Sequence, residues 1–456
     1  MTTAVTSRRE VPVPKFVTGS ILRHILAMTG AGAVGLMAIF AGDLVNIFFL
    51  SRYGDEAVVA AIGYASSILF FSTSIGIGLS IAATALVAPA IGAGLRARAR
   101  RLSAHAHVLT FLASGILSIV LWFGIDELLT LLGARGRAHT LAGNYLMILL
   151  PTLPMLALGM TSSAVLRSVG DARRAMHVTL IGAVVNTALD ALLIVHLGWG
   201  ILGAAIASAF ARVAVMGIGL YGVVAVHKLM GRPKLATLGL DAPGFAAIAL
   251  PAVLTNVATP AGNAYVTASV AAFGDGAVAG WAIIGRVIPV AFGAIYALSG
   301  SVGPILGQNY GARQPDRMRA VYTCSLWVMV AFTAVAWVIL AVFAGSLANI
   351  FHATGDARQL IVSFCRWMSP LFVFLGALFI ANAVFNTLGR AHYSATLNWG
   401  RATVGTIPFV MAGATISGAQ GAVAGNMIGG ILFGVAAVVI GYQLIDKIGK
   451  SVRGDV

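Results

Sequence analysis

The sequence predicts an all-α polytopic membrane protein with twelve transmembrane helices in two six-helix lobes. Of its 456 residues, 59% are hydrophobic and only 9% are charged, and the mean hydropathy is +0.94. Apolar runs of about 20 residues recur along the whole chain, and a helix of that length crosses a hydrocarbon core of about 30 Å. The runs are continuously apolar rather than alternating, which predicts helices and excludes the strands of a barrel.

Basic residues between the apolar runs predict an even number of spans. If both termini are cytoplasmic, 21 of the 29 Lys and Arg fall in inside segments and four in outside loops. The net charge of +15 is therefore topological information rather than a nucleic-acid footprint. We expect a multi-pass protein of the inner (plasma) membrane that binds no nucleic acid. The predicted spans are 28–50, 57–82, 102–125, 138–166, 173–196, 201–226, 244–272, 276–306, 320–346, 360–388, 393–414 and 420–444.

An internal repeat divides the chain into halves. Residues 41–43 (Ala-Gly-Asp) and residues 261–263 (Ala-Gly-Asn) stand 220 positions apart, and other short matches keep nearly the same offset. Each half holds six spans, so both repeats enter the membrane in the same orientation. This arrangement predicts two lobes related by pseudo-two-fold symmetry about an axis along the membrane normal. The expected division is an N-lobe at 1–227, a cytoplasmic linker at 228–243 and a C-lobe at 244–456.

Two acidic side chains lie inside predicted spans, and both belong to the first half. Asp43 in span 1 and Asp190 in span 5 are each about 10 Å below the outer surface. Asn186 shares a helix face with Asp190. Charges at this depth are costly and usually face a cavity, so these three residues are expected to converge at a proton-coupling site. The alternative is a structural ion pair between one of the acids and Arg212.

The second half has a different set of polar residues within the membrane. Asn263 stands where the repeat places the counterpart of Asp43. Arg286 and Arg401 have no intramembrane acid near them in sequence. They either bond backbone carbonyl groups and reach toward the interface, or they line a cavity.

Other signals do not indicate chemistry. The run Gly30–Gly35 has the spacing of a dinucleotide fingerprint, but it lies inside span 1 and predicts close helix packing instead. Hydrolase, metalloprotease and P-loop motifs are absent from the sequence, so we expect neither an enzyme nor a metal site. His105 and His107, at the cytoplasmic start of span 3, are expected to be solvated.

Several motifs together resemble the multidrug and toxic compound extrusion (MATE) family. They are the runs 170–173 (Gly-Asp-Ala-Arg), 186–190 (Asn-Thr-Ala-Leu-Asp), 200–208 and 307–312 (Gly-Gln-Asn-Tyr-Gly-Ala), together with Asp43 in span 1. The resemblance covers nearly the whole chain. It implies two six-helix lobes that alternate between outward-open and inward-open states.

The same resemblance implies a function and a set of site residues. Asp43 and Asp190 match the acids of the family's DinF-like branch, and Asn186 and Ser208 match their polar partners. The implied activity is multidrug efflux by antiport: cationic or amphiphilic organic compounds are exported in exchange for protons. Sodium coupling, or a flippase for lipid-linked precursors, is the alternative. We expect a monomer in the lipid bilayer with a small-molecule substrate and no cofactor besides the ion gradient.

Overall fold

The computed structural model describes residues 14–53, 55–233 and 235–453, and these residues are almost entirely helical. Arg8, Arg9 and Lys234, which are among the basic residues counted above, lie outside the described residues. Span 1 is an unbroken helix, and spans 4, 8, 10 and 11 are interrupted. The first ten spans are Ile21–Tyr53, Glu56–Gly92, Arg96–Phe123, Gly136–Val169, Ala172–His196, Gly200–Val226, Leu235–Ala271, Asp275–Gly311, Pro315–Val342 and Gly355–Thr387.

The last two spans come from one long helical stretch, Ala391–Arg453. A single helix of 63 residues would be about 95 Å long, three times the hydrocarbon core. The backbone is not helical at Ser417 and Gly418, where Gly418 has a φ of 60° that favours glycine. Span 11 therefore covers residues 391–416 and span 12 covers residues 419–453. The described residues thus form twelve spans, and the predicted number is confirmed.

Proline residues explain the break in span 4. Pro151 and Pro154 have no N–H group, and the helix tightens into a single turn at Leu150–Thr152. This turn leaves backbone carbonyl groups without helical partners. The hydroxyl of Ser118 donates to the carbonyl oxygen of Leu150 at 2.6 Å. Polar side chains from neighbouring helices are therefore needed to complete span 4.

Two bundles form within the membrane. In the first, span 1 packs on span 5, span 2 on span 4, and span 6 on spans 4 and 5. In the second, span 7 packs on span 11, and span 10 packs on spans 8 and 12. Spans 1 and 2 also contact spans 7 and 8, so these four helices form the seam between the lobes. The exact lobe boundaries stay a prediction.

The seam is tightest at one end of the bundle, which we call the closed end. A Cβ atom on Gly92 of span 2 would lie 1.9 Å from the backbone oxygen of Gln308 of span 8. A Cβ atom on Gly311 would lie equally close to the backbone oxygen of Pro89. Two helix backbones approach this closely only where one of them has a glycine at the contact. The two lobes are therefore in direct backbone contact here.

A segment before span 1, residues 14–20, crosses the closed end. We call it the N-terminal strap. Its Lys15 Nζ donates to the carbonyl oxygen of Gly170 in the first bundle at 2.7 Å. Its Phe16 is buried, and the Phe16 N–H donates to Oε1 of Gln308 in the second bundle at 2.9 Å. Arg317 of span 9 donates to the carbonyl oxygens of Phe16 and Gly19. The strap therefore bonds both lobes.

Two expectations for this end of the molecule are corrected. His105 and His107 are not solvated, since each is at least 96% buried. His107 lies 3.0 Å from the hydroxyl of Ser162, and His105 lies 2.7 Å from a carboxylate oxygen of Asp241. Packing of span 3 against spans 4 and 7 buries them, which the hydropathy of span 3 alone does not reveal.

The second correction concerns the start of span 7, which was predicted at residue 244. Span 7 begins at Leu235, nine residues before the predicted apolar run, so the later part of the predicted linker 228–243 is helical. Asp241 lies in this added part and pairs with Arg101 as well as His105. These contacts pair the charge of Asp241 and allow the helix of span 7 to begin before the apolar run.

Candidate functional site

Asp190 lies at a change of helix geometry in span 5. The α-helix that starts at Ala172 ends at Asp190, and the next turn, Ala191–His196, is a wider π-helix. Such turns occur frequently at functional sites. The Asp190 side chain is fully buried. The wider turn therefore holds a carboxyl group within the first lobe.

Two amide groups bind the same oxygen of this carboxyl. Asn186 Nδ2 donates to Asp190 Oδ2 at 2.7 Å, and Asn46 Nδ2 of span 1 donates to it at 2.8 Å. The other oxygen, Oδ1, is buried and has no hydrogen-bond partner in the described part of the chain. Buried polar atoms are nearly always paired, so an unpaired carboxyl oxygen marks a group with a special role.

Asp43 lies beside this arrangement on span 1. Gly42 packs on span 5, where a Cβ atom would lie 3.6 Å from the Thr187 hydroxyl. Asn46 is one helical turn from Asp43, on the same face of the helix. Unlike Asp190, Asp43 is exposed. The structure thus joins Asn186 and Asp190 directly and places Asp43 next to the Asn46 that binds Asp190.

Tyr145 of span 4 connects the two acids with span 6. It is 8% exposed, and its hydroxyl lies near Ser208, the predicted polar partner on span 6. The same hydroxyl is close enough to Asp43, Asp190 and Arg212 for electrostatic interaction with each. Asp43 and Asp190 therefore face a common region around Tyr145.

Arg212 does not pair with either acid among the described residues. Its Nη1 donates to the carbonyl oxygen of Leu149 at 2.7 Å and lies 2.9 Å from the hydroxyl of Thr152. Leu149 directly precedes the proline-broken turn of span 4, where its carbonyl group lacks a helical partner. Arg212 therefore completes the broken helix, and the structural ion pair considered above is not formed.

The predicted residues of the second lobe lie apart from this cluster. Asn263 on span 7 and Arg286 on the first half of span 8 are exposed. Arg401 on span 11 is buried, and its Nη2 donates to the hydroxyl of Thr259 on span 7 at 3.2 Å. Charged groups are thus segregated, with acids in one lobe and a buried arginine in the other.

Sequence reasoning missed two members of the first cluster. Asn46 was detectable, since it is three residues after Asp43 and within the same span. Tyr145 had no comparable signal, because its role depends on how span 4 packs against spans 5 and 6.

Known proteins resemble this chain over most of its length. The MatE family matches the sequence twice, over residues 32–192 and 251–411, once in each half. A relative from Shewanella oneidensis, named FAD transporter, is 28% identical over 95% of this chain and 97% of its own. The multidrug export protein MepA of Staphylococcus saprophyticus is 22% identical over 95% of this chain and 96% of its own.

Solved structures share the architecture. A variant of the Vibrio cholerae MATE transporter VcmN superposes with a TM-score of 0.87 at 25% identity, covering 94% of this chain and 97% of the other. A MATE structure described as the straight conformation gives a TM-score of 0.89 at 20% identity over 96% and 99% of the two chains. With both family matches inside the twelve-span fold, the chain belongs to the MatE family and is a membrane transporter rather than an enzyme.

Proposed function

We propose that this protein exports cationic or amphiphilic organic compounds across the inner membrane in exchange for protons, with Asp43 and Asp190 as the proton-binding groups. The environment of Asp190 carries the proposal. One carboxyl oxygen accepts two amide hydrogen bonds, and the other is buried without a partner among the described residues. The energy of such a group depends strongly on whether it holds a proton, because burial penalises an incompletely bonded charge.

The donors around Asp190 favour a proton over a sodium ion. Both asparagines turn their amide nitrogen toward the carboxyl oxygen. These N–H groups keep both a sodium ion and a proton away from Oδ2. The unpaired Oδ1 can take a proton without further ligands, whereas a sodium ion takes several oxygen ligands. We therefore propose proton coupling and treat sodium coupling as the outcome that the experiment must exclude.

Exposure of the two acids supports a path for protons. Asp43 is exposed and Asp190 is buried, with Asn46 between them on the same helix face as Asp43. Water therefore reaches Asp43 more readily than Asp190. We propose that protons enter at Asp43 and that Asp190 responds to them from inside the lobe.

The closed end gives this site a direction. Gly92, Gln308 and the strap lie at the ends of spans that the basic residues predict to be cytoplasmic. A carrier closed on that side is outward-facing in an alternating-access cycle. In this state protons from the periplasm bind the acids and substrate leaves. After the lobes reverse, the protons dissociate into the cytoplasm and substrate binds.

The relatives' names support an organic solute as the substrate. One relative is named FAD transporter and others are named multidrug export proteins. A second candidate function, export of a flavin nucleotide, is favoured by the Shewanella relative, which matches almost the whole of both chains.

Transport by everted membrane vesicles tests the proposal. We expect energised vesicles to accumulate a fluorescent organic cation, a protonophore to stop accumulation, and replacement of sodium by choline to have no effect. Asp43→Asn and Asp190→Asn should abolish accumulation. Asp126→Asn, which removes an exposed charge from the segment between spans 3 and 4, is the matched control.

Normal accumulation by both single acid variants would refute the coupling role. Accumulation that requires sodium and persists with the protonophore would show that sodium, not the proton, is the coupling ion. A protein that moves no dye in either direction, while lipid-linked precursors cross the membrane, would be a flippase.

A further inference from the structure

Arg401 lies deep in the second lobe and lacks the partner that a buried arginine requires. Only 6% of the residue is exposed. Its single side-chain hydrogen bond to a described residue goes to the uncharged hydroxyl of Thr259, at 3.2 Å. Its Nε is buried without any partner in the described part of the chain. A guanidinium has five N–H donors and holds its charge, so this environment leaves most of its bonding capacity unused.

A purely structural role does not account for this environment. Arg212 of the first lobe, which is half-buried, completes a broken helix through the carbonyl oxygen of Leu149 at 2.7 Å. Arg401 binds no backbone carbonyl group among the described residues, and none of their ion pairs includes it. Arg401 is thus more buried than Arg212 but has fewer hydrogen-bond partners among the described residues.

Aromatic side chains lie near Arg401. Tyr296 on span 8 is close enough to Arg401 for direct electrostatic interaction. The ring centroid of Tyr296 lies 5.3 Å from that of Phe379 and 6.2 Å from that of Phe372, both on span 10. Tyr296 and Phe379 are half-buried. Arg401 therefore lies near Tyr296, whose ring belongs to a cluster of aromatic side chains.

This place borders the interior of the lobe near the seam. Thr259 lies on span 7 and Tyr296 on span 8, and both helices pack against span 2 of the other lobe. Asn263 is one turn beyond Thr259, and Thr267, one further turn on, accepts a hydrogen bond from Trp281 of span 8. Asn263 thus lies on a face bounded by Arg401 on one side and Trp281 on the other, yet it is exposed.

We infer that Arg401, with Thr259 and Tyr296, binds an acidic group, a carboxylate or a phosphate, of the transported organic molecule. The inference rests on the proposed export function and narrows its substrate class to amphiphilic compounds that carry an anionic group beside an aromatic ring system. Guanidinium groups bind carboxylates and phosphates through paired hydrogen bonds, which are strong when water is excluded. The acids of the first lobe remain available to a proton or to a cationic part of the same molecule.

Equilibrium binding of three flavins to the purified, full-length protein tests the inference. Riboflavin, riboflavin 5′-phosphate and FAD share a ring system but differ in phosphate, and flavin fluorescence reports binding. We expect the phosphate-bearing compounds to bind at least about tenfold more tightly than riboflavin, the difference made by a charge-assisted hydrogen-bond pair. Arg401→Gln should remove that preference, and Arg401→Lys should retain part of it.

Controls separate recognition from folding. Arg390→Gln removes an equal charge from an exposed loop and should keep the wild-type preference. Thermal unfolding of each variant establishes that it is folded. A wild-type protein without phosphate preference, an Arg401→Gln protein that keeps it, or an equal loss of affinity for all three flavins would overturn the inference.

Competition with inorganic phosphate distinguishes a substrate group from a free ion. Displacement of riboflavin 5′-phosphate by inorganic phosphate at equal concentration would assign the site to a free anion and overturn the substrate assignment. Vesicle transport of an organic cation tests the export function independently, so failure of one experiment leaves the other interpretable.

Discussion

Gln308 of span 8 donates a hydrogen bond from its side-chain amide to the carbonyl oxygen of Ser168 at the end of span 4, at 2.7 Å. Both residues are fully buried, and they belong to different lobes. The oxygen of the same amide accepts the N–H of Phe16 in the N-terminal strap. One side chain therefore joins three parts of the chain at the closed end.

Gln308→Ala should shift the carrier toward the inward-open state. Two buried hydrogen bonds contribute about 2 kcal/mol together, which is roughly a thirtyfold change in the conformational equilibrium. Distances between spin labels at Arg98→Cys and Arg390→Cys, on opposite lobes, should lengthen at the closed end. Gln420→Ala, whose hydrogen bond to Ser363 stays within one lobe, is the control. An unchanged distance distribution would show that Gln308 does not hold the seam.

Asn46→Ala should impair transport although sequence patterns gave Asn46 no role. The variant removes one of two donors to Asp190, and a hydrogen bond to a charged group contributes about 1.5–3 kcal/mol. We expect efflux to fall by about tenfold or more, and Asn186→Ala to act in the same direction. Asn349→Ala removes an amide between spans 9 and 10 that accepts a hydrogen bond from Arg358, and it serves as control. Wild-type efflux by Asn46→Ala would exclude Asn46 from the site.

Gly425→Ala should destabilise the packing of spans 11 and 12. A Cβ atom there would lie 2.0 Å from the backbone oxygen of Phe409, and backbone cannot move aside cheaply. Overpacking of this kind costs about 1–3 kcal/mol, so the melting temperature should fall by several degrees. Gly430→Ala, five residues further on, meets open space and should leave the melting temperature unchanged. Equal melting temperatures for the two variants would contradict the close packing.

Asp171→Asn should destabilise the protein in a pH-dependent way. Burial raises the pKa of Asp171, but hydrogen bonds from Arg174 and His227 outweigh burial, and the net pKa lies below its ordinary value. The folded state therefore favours the charged form. That stabilisation is complete above the ordinary carboxyl pKa of about 4 and is lost as pH falls through the lowered pKa.

Melting temperatures at two pH values check this expectation. Asn keeps the oxygen that caps span 5, so the variant isolates the charge. At pH 7 the variant should lose about 1 kcal/mol relative to wild type, and the difference should narrow below about pH 4. Asp316→Asn removes a carboxylate that is 85% exposed and should have little effect at either pH. A difference between variant and wild type that stays constant with pH would show that the Asp171 charge does not stabilise the fold.

Hydropathy and charge were enough to predict most of the fold. Each span needs about 20 apolar residues, and each loop is marked by its basic residues, so both signals are local in sequence. The early start of span 7 at Leu235 was not predictable in this way. Its first turns depend on Asp241 finding Arg101 and His105 on another helix.

The candidate site was predictable only where its residues share a helix. Asn186 and Asp190 are four residues apart, and helical geometry alone brings them together. Tyr145 and Ser208 come from different spans, and their contact depends on how spans 4 and 6 cross. For the same reason, Arg212 suggested an ion pair, since the carbonyl group that it binds exists only because span 4 breaks at its prolines.

Span 1 has a mechanical consequence that follows from its continuity. It is a single helix from Ile21 to Tyr53 without proline, and about 33 Å of rigid rod separates Asp43 from its beginning. The strap is attached to that beginning. If span 1 tilts at Asp43, its beginning therefore moves as well. The strap at that beginning is hydrogen-bonded to both lobes. A movement of span 1 at Asp43 is thus transmitted along the helix to the contacts between the lobes at the closed end.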